Sequence, residues 1–222
     1  MYSLPYYKEN DLNVLKEFIA DHPFAFLAGS DAEGKPVTTQ VPVFMEEEGD
    51  RKILRGHIMK NTDHHKALVF NPNVLVVFTG PHTYVSATWY SNPHQASTWN
   101  YMSVHVRGVV RFLDEKALVE VLRKTTLHFE NQDSTSSTIF DNLPEAYTQR
   151  LMKAIVPFEI EIQEIGNVFK LSQDRDPQSF VNIMEKLKAQ GGDAALIAVE
   201  MEKRMHDIFP EGAEWDAEKF LP

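Results

Sequence analysis

Residues 84–108 read YVSATWYSNPHQASTWNYMSVHVRG and contain two of the three tryptophans of the chain, three tyrosines and two histidines. A polar segment separates the two aromatic clusters. Large aromatic side chains beside hydrogen-bonding groups are typical of surfaces that bind a flat ligand. A strand hairpin whose aromatics fill a core or a subunit interface would have the same composition. The stretch therefore predicts either a ring-binding surface or a packed hairpin.

Apolar and polar residues alternate along several neighbouring segments, as they do in half-buried strands. Residues 101–112 are the longest example, and the turns GSDAEGKP and EEEGD have the Gly, Asp and Pro content of hairpin connections. The predicted strands are residues 24–28, 37–45, 52–58, 74–79, 84–87, 101–112, 158–163 and 168–171, the last two joined as a hairpin by Gly166 and Asn167. Antiparallel patterning with short turns predicts a mainly β, α+β fold of barrel or sandwich type with peripheral helices.

Apolar residues at helical spacing follow several residues of the types that cap helix N-termini. Asp11, Asp114 and Asp176 each precede an amphipathic run, and Asn61 or Thr62 caps another. After Asp176 the apolar residues recur only at helical spacing, without strand-like alternation. We therefore expect one domain over residues 1–175 and a C-terminal helical extension over residues 176–222 that packs on it.

Composition excludes several classes of function. The chain has 222 residues, a formal charge of −10 and no cysteine. An acidic chain does not favour a broad DNA-binding face, although local basic patches leave DNA binding open. Disulfides and cysteine-based zinc sites are excluded. The start, MYSLPYYKENDL, lacks signal-peptide features and no segment is long and apolar enough for a membrane helix, so we expect a cytoplasmic protein without membrane association.

The nine histidines do not have convincing metal-ligand spacing. His64 and His65 are adjacent on a predicted helix and point about 100° apart, so they do not face one ion together. We therefore predict no metal site. No P-loop, G-x-G-x-x-G, G-x-S-x-G or H-E-x-x-H motif is present.

Residues 54–66, LRGHIMKNTDHHK, place a strand end, a cation and a capped helix start together. The helix start offers backbone N–H groups and a favourable dipole, Gly56 allows close backbone approach, and Arg55 or Lys60 supplies charge. This pattern predicts a phosphate-binding site. An ordinary strand–helix junction with a solvated lysine is the alternative.

Four blocks resemble the PaiB-type family of FMN-binding negative transcriptional regulators. They are GHIMKN (56–61), YVSATWY (84–90), STWNYMSVHVRG (97–108) and AIVPFEIEIQEIGNVFKLSQDRD (154–176), in the order of the family and covering most of the chain. The resemblance implies an FMN-binding split β-barrel and a homodimer with FMN at the subunit interface.

The resemblance also implies the site residues. The strand around residues 38–40 would face the flavin ring, residues 56–62 would hold the ribityl phosphate, the two tryptophans would flank the ring, and polar residues nearby would meet its edge. The predicted cofactor-binding residues are Thr38, Thr39, Gln40, Gly56, His57, Ile58, Lys60, Asn61, Thr62, Ser86, Trp89, Trp99, Asn100, Tyr101 and Arg175. Asn100 as a structural residue, Tyr101 as interface filler and Arg175 as part of a surface turn remain alternatives. The phosphate partner stays open among Arg55, Lys60 and Arg175.

The sequence leaves three functions open. The first is an FMN-binding regulator, which would act through partners because no helix-turn-helix is recognisable. The second is an FMN-dependent oxidoreductase related to pyridoxamine-phosphate oxidase, in which His57 or His105 assists proton transfer. The third, which the resemblance does not imply, is haem binding through His57 or His105. The catalytic residues are not identified by the sequence.

Overall fold

A computed structural model of the chain describes residue 2 and residues 4–92, 94–212 and 214–220. In these residues the strands are β1 (Phe24–Ser30), β2 (Pro36–Glu48), β3 (Arg51–Met59), β4 (Asn73–Val85), β5 (Thr98–Phe112) and β6 (Ile155–Lys170). The α-helices are α1 (Leu12–Asp21), α2 (Asp63–Phe70), α3 (Glu115–Phe129), α4 (Glu145–Met152), α5 (Pro177–Gln190) and α6 (Gly192–Ile208). Short 3-10 turns cover Pro5–Tyr7, Ala87–Trp89, Phe140–Asn142 and Ala217–Phe220.

The strands form one closed sheet in the order β1-β2-β3-β6-β5-β4. β1 pairs antiparallel with both β2 and β4, and β3 pairs antiparallel with β2 and β6. Consecutive hairpins join β1 to β3, and the turns use Gly34 at φ +79° and Gly49 at φ +61°, a region that glycine enters without steric cost. The predicted fold class, a mainly β, α+β barrel, is confirmed.

The chain divides into two compact units. We call Lys16–Phe78 with His105–Gly166 the sheet unit, and Met1–Leu15 with Thr79–Val104 and Asn167–Pro222 the C-terminal unit. β4, β5 and β6 contribute residues to both. The predicted division at residue 175 into a barrel and a helical extension stays a prediction.

Two predicted interruptions of strands are wrong. Residues 74–79 and 84–85 belong to the single strand β4, in which burial changes phase at Gly80 and Pro81 without ending the strand, as it does at a β-bulge. Ser86 and Ala87, the last two residues of the predicted second strand, lie beyond the end of β4 at Val85. The predicted hairpin at Gly166 and Asn167 is likewise absent, because β6 continues through both residues.

Asn167 has a different role from the predicted turn. A two-residue hairpin turn requires a positive φ angle. Asn167 is not among the described residues that have one. Its side chain instead accepts from Glu9 N at 2.8 Å and donates to Glu9 O at 2.9 Å. Its amide therefore fixes the N-terminal segment of the C-terminal unit.

Three predicted helix caps are confirmed. The Thr62, Asp114 and Asp176 side chains accept hydrogen bonds from the backbone N–H groups of residues 65, 117 and 179, respectively. Capping satisfies donors that a helix start otherwise leaves open. Between the two candidates for α2, Thr62 rather than Asn61 is the cap.

A buried carboxylate links β3, β5 and β6 in the sheet unit. The Glu159 side chain is 1% exposed and accepts from Arg51 at 2.7 Å, Arg55 at 2.9 Å and Arg111 at 2.7 Å. Burial alone would raise the pKa of Glu159, but hydrogen bonds from these arginines outweigh it and lower the pKa to about 2. The ionised carboxylate thus ties three strands together.

Glu159→Gln is expected to lower the free energy of unfolding at pH 7 by about 2–3 kcal/mol, because three guanidinium groups lose their charged acceptor. The folded pKa of about 2 lies below the ordinary value of 4.5, so this contribution is complete above pH 4.5 and is lost as the pH falls toward 2. Urea unfolding of both proteins at neutral and acid pH measures it.

Glu161→Gln is the matched control, since Glu161 is an exposed glutamate on the same strand. It should change stability by no more than about 0.5 kcal/mol. A Glu159→Gln deficit that persists unchanged at acid pH would contradict the role of the ionised group.

Candidate functional site

The junction between β3 and α2 in the sheet unit is held by its own hydrogen bonds. Asn61 adopts a left-handed conformation at φ +65°, and its N–H donates to His65 Nδ1 at 3.1 Å. The Thr62 hydroxyl donates to Met59 O at 3.1 Å and accepts from His65 N at 3.3 Å. A strand, a tight turn and a capped helix start therefore meet here, as predicted for residues 56–62.

The electrostatic field at this turn is positive although the chain is acidic. Burial is the main cause that lowers the pKa of His65, and the charges of His64, Lys60 and Lys66 lower it further. Three neighbouring groups thus disfavour an additional positive charge at the helix start. The same field attracts an anion.

One carboxylate already lies at the helix start. Asp63 Oδ1 accepts from His64 N at 2.8 Å, and this bond and the His64 ring lower the pKa of Asp63. The Asp63 side chain is 79% exposed. A phosphate at this turn requires Asp63 to rotate into solvent, which its exposure permits.

Packing within the sheet explains the residue types at positions 56 and 58. A Cβ atom on Gly56 would lie 2.7 Å from Pro42 O and 2.7 Å from the Phe158 ring. The absence of a side chain is therefore required by the approach of β2 and β6. Ile58 is 2% exposed, so a ligand outside the sheet meets only its backbone.

His57 and Lys60 differ in their surroundings. Burial lowers the pKa of the half-buried His57, so its imidazole is neutral at pH 7. Lys60 N donates to Ala154 O at 2.9 Å. The exposed Lys60 lines a cavity of about 200 Å³ with Asp114 and Lys153.

The predicted ring-facing residues of β2 lie beside β1. Thr38 pairs with Ala28, Thr39 with Leu27 and Gln40 with Phe26. Thr38 and Gln40 are exposed and Thr39 is half-buried. The exposed pair therefore shares one face of the strand and is accessible to a ligand or to another protein.

The C-terminal unit contains the other predicted residues. Ser86 caps the 3-10 turn Ala87–Trp89 by accepting from Thr88 N, and Trp89 O accepts from Asn182 Nδ2 at 3.1 Å. Trp99 is 53% exposed and its ring contacts His82 and Tyr84, each with centroids 6.1 Å apart. Trp99 thus presents an open aromatic face.

Asn100 has a structural environment. It is fully buried, its Oδ1 accepts from Ser172 Oγ at 3.0 Å and its Nδ2 donates to Met201 Sδ at 3.8 Å. Tyr101 is half-buried, and burial raises its pKa. The Asn100 amide therefore has partners within the fold.

Arg175 lies in a polar turn that follows β6. Its Nη1 donates to Gln95 Oε1 at 2.6 Å, its guanidinium carbon lies 4.8 Å from the Tyr90 ring centroid, and its Nη2 lies 3.6 Å from Asp174 Oδ2. Ser172, which precedes it in the same turn, is buried at φ +64°. This strained turn fixes where Arg175 points.

Sequence reasoning missed Tyr90 and Lys170 in this region. Tyr90 is 6% exposed and packs against Arg175. The Lys170 ammonium donates to Thr98 Oγ1 and Trp99 O. Tyr90 stands within the quoted aromatic stretch and Lys170 within KLSQDR, but only tertiary contacts distinguish them from neighbours of the same type.

The predicted residues fall into two sets. The sheet unit contains the first set on β2, β3 and the following turn: Thr38, Thr39, Gln40, Gly56, His57, Ile58, Lys60, Asn61 and Thr62. The C-terminal unit contains the second set: Ser86, Trp89, Trp99, Asn100, Tyr101 and Arg175. In the described part of the chain no three His, Asp or Glu side chains cluster as metal ligands, and none of its helices combines the length and hydropathy of a membrane span.

Residues 1–164 match a family model described as "Putative FMN-binding domain". The chain belongs to this FMN-binding family. Among curated relatives, Protease synthase and sporulation protein PAI 2 of Bacillus subtilis (strain 168) is 29% identical over 192 residues, covering 85% of this chain and 89% of that protein. The predicted PaiB-like, flavin-binding character is confirmed by these matches.

Solved structures show the same fold at low identity. The FAD and heme binding protein from Mycobacterium smegmatis has a TM-score of 0.58 and 19% identity, covering 83% of this chain and 80% of that chain. The flavocytochrome Anf3 from Azotobacter vinelandii has a TM-score of 0.56 and 18% identity, covering 76% of this chain and 72% of that chain. At such identities the likeness concerns the fold alone.

Proposed function

We propose that the flavin of this chain is FMN and that the protein is a cytoplasmic regulator of the PaiB-like type. The observation that supports FMN most directly is the FMN-binding family match over residues 1–164, which includes the whole β3–α2 junction. The relative PAI 2 is named for protease synthesis and sporulation. That name supports a regulatory role more than a metabolic one.

The β3–α2 junction supports FMN through its phosphate. A positive field from Lys60, Lys66 and His64 surrounds the first turn of α2, and its N–H groups can exchange their side-chain acceptors for phosphate oxygens. Riboflavin lacks this anion. The junction would therefore select FMN over riboflavin, while the bound ring supplies redox chemistry.

The ring-facing residues remain predictions. In the sheet unit, Thr38 and Gln40 are exposed and available for hydrogen bonding. In the C-terminal unit, the exposed face of Trp99 is available for stacking. Among the residues predicted to contact the flavin, Asn100 is the least suited, because its amide is fully buried and paired within the fold.

Purified protein is expected to show a flavin spectrum and to release FMN on acid treatment. Lys60→Ala should weaken FMN binding about five- to tenfold and leave riboflavin binding unchanged, because it removes one cation near the phosphate. Fluorescence titration of both flavins measures this.

Lys35→Ala is the control, since Lys35 is an exposed lysine of the β1–β2 turn. Release of FAD, a Soret band, or equal losses for FMN and riboflavin would contradict the FMN assignment. A colourless protein that does not take up added FMN would overturn it entirely.

An FMN-dependent oxidoreductase is the second candidate, and His57 is the observation that favours it. A half-buried imidazole that is neutral at pH 7 is suited to accept or donate a proton beside a flavin. The regulatory proposal does not need this group.

One pair of measurements separates the two functions. For a regulator, we expect saturable binding to a specific DNA or protein partner that survives moderate salt, and no substrate-dependent flavin turnover. Rapid bleaching of the flavin by NADH or NADPH, with loss of that bleaching in His57→Ala, would favour the oxidoreductase instead.

We further propose that the protein is a homodimer with the flavin site at the subunit interface. β1 of the sheet unit presents Phe24 at 59% and Phe26 at 40% exposure on one face, next to Gln40 and Pro42 of β2. α2 adds Phe70 at 65% exposure. Large apolar side chains that are exposed in the single chain are typical of subunit interfaces.

Phe26→Lys is expected to shift the protein from dimer to monomer in sedimentation velocity, because it places a charge in the centre of the apolar face. Phe129→Lys is the control, since Phe129 is 52% exposed on α3 and its ring contacts Phe44 and His128. A wild-type protein that sediments only as a monomer would refute the dimer.

A further inference from the structure

Two buried donor groups in the C-terminal unit lack hydrogen-bond partners. They are the Tyr90 hydroxyl and Arg175 Nε, and each is shielded from solvent without an acceptor among the described residues. Tyr90 is 6% exposed and the Arg175 side chain is 20% exposed. Buried polar atoms are almost always paired in folded proteins, so two such donors at one place mark a position where an acceptor can bind.

The chemistry of the missing partner follows from the two donors. Arg Nε donates and does not accept, whereas a tyrosine hydroxyl both accepts and donates. Arg175 acts on the Tyr90 hydroxyl as a hydrogen-bond donor, which leaves the hydroxyl hydrogen itself without an acceptor. The guanidinium carbon of Arg175 lies 4.8 Å from the Tyr90 ring centroid, so the two groups occupy one place. The group that would satisfy them is an oxygen acceptor.

Gln95 already supplies one such oxygen. Its Oε1 accepts from Arg175 Nη1 at 2.6 Å. Gln95 is exposed and belongs to the polar segment between β4 and β5. An exposed glutamine side chain is a weak competitor, so a ligand oxygen that reaches Arg175 can replace it.

The local charge favours an anion over a neutral carbonyl. Lys170 and Arg175 contribute two positive charges, and Asp174, 3.6 Å from Arg175 Nη2, contributes one negative charge. Burial lowers the pKa of the Lys170 ammonium, Asp174 raises it and Arg175 lowers it further. Asp176 does not add to this balance at close range, because its oxygens accept from Ser91, Ser179 Oγ and Ser179 N. The remaining charge is one positive unit.

We propose that Arg175 and Tyr90 form a subsite for an oxyanion, a carboxylate or a phosphate, carried by a small-molecule ligand. Gln95 occupies the acceptor position when the ligand is absent. This subsite goes beyond the proposed function, in which the flavin phosphate binds at the β3–α2 junction of the sheet unit.

Inorganic phosphate and benzoate are the probes, and the Arg175 Nε–H resonance is the readout. In wild-type protein this resonance, identified by its loss in Arg175→Lys, shifts in a saturable manner with at least one probe. The tighter probe identifies the oxyanion as phosphate or carboxylate. Gln95→Ala tightens binding several-fold, because the competing amide oxygen is removed.

Tyr90→Phe tests the second donor. It keeps the ring against Arg175 and removes only the hydroxyl, so binding of the tighter probe weakens about three- to tenfold. Arg123→Lys in the sheet unit is the matched control and leaves binding unchanged. Circular dichroism checks folding, and if Arg175→Lys does not fold, Tyr90→Phe and Gln95→Ala still test the subsite.

Two results overturn the proposal. One is the absence of a saturable shift with both probes in both wild-type protein and Gln95→Ala. The other is a loss of FMN affinity, without loss of riboflavin affinity, in Arg175→Lys, which would assign the oxyanion to the flavin itself. Because FMN and riboflavin affinities are measured separately, failure of this subsite is distinguishable from failure of the FMN proposal.

Discussion

The pairing of β3 with β6 is the constraint on which the described sheet depends. It joins segments about a hundred residues apart and places Gly56 opposite Phe158 and Arg55 opposite Glu159. On one side the missing Cβ of Gly56 admits the Phe158 ring. On the other side Glu159 binds arginines from β3 and β5. Without this pairing the sheet would not close and the β3–α2 junction would have no fixed strand before it.

The β3–α2 junction shows how an acidic protein can present a locally cationic surface. The chain as a whole carries a formal charge of −10, but Lys60, Lys66 and His64 all act on the first turn of α2, where they lower the pKa of His65. At such short range the local arrangement outweighs the net charge, because surface charges farther away are screened by salt. Net charge therefore argues against a broad nucleic-acid face but not against a local phosphate site.

The C-terminal unit uses most of its polar side chains for structure. Asn167 fixes Glu9, and Asn100 is held by Ser172 and Met201. Tyr90 and Arg175 differ because one donor on each remains unpaired. Among the described residues of this unit no other buried side-chain nitrogen or oxygen lacks a partner, which makes this pair of exceptions informative.

The sequence alone determined the mainly β class, three helix caps, the family and its flavin, because alternating strands, capping residues and motif blocks are local patterns. It could not determine whether β4 and β6 continue through Gly80 and Gly166, since glycine is compatible with both a turn and an extended strand. It also could not separate packing from binding at Gly56 and Asn100. Those roles depend on Phe158 and Ser172, which are distant in the chain and come near only in the folded protein. The aromatic stretch 84–108 was recognisable from composition, but only the tertiary structure decided that Trp99 is open, that Asn100 is buried, and that Tyr90 lies against Arg175.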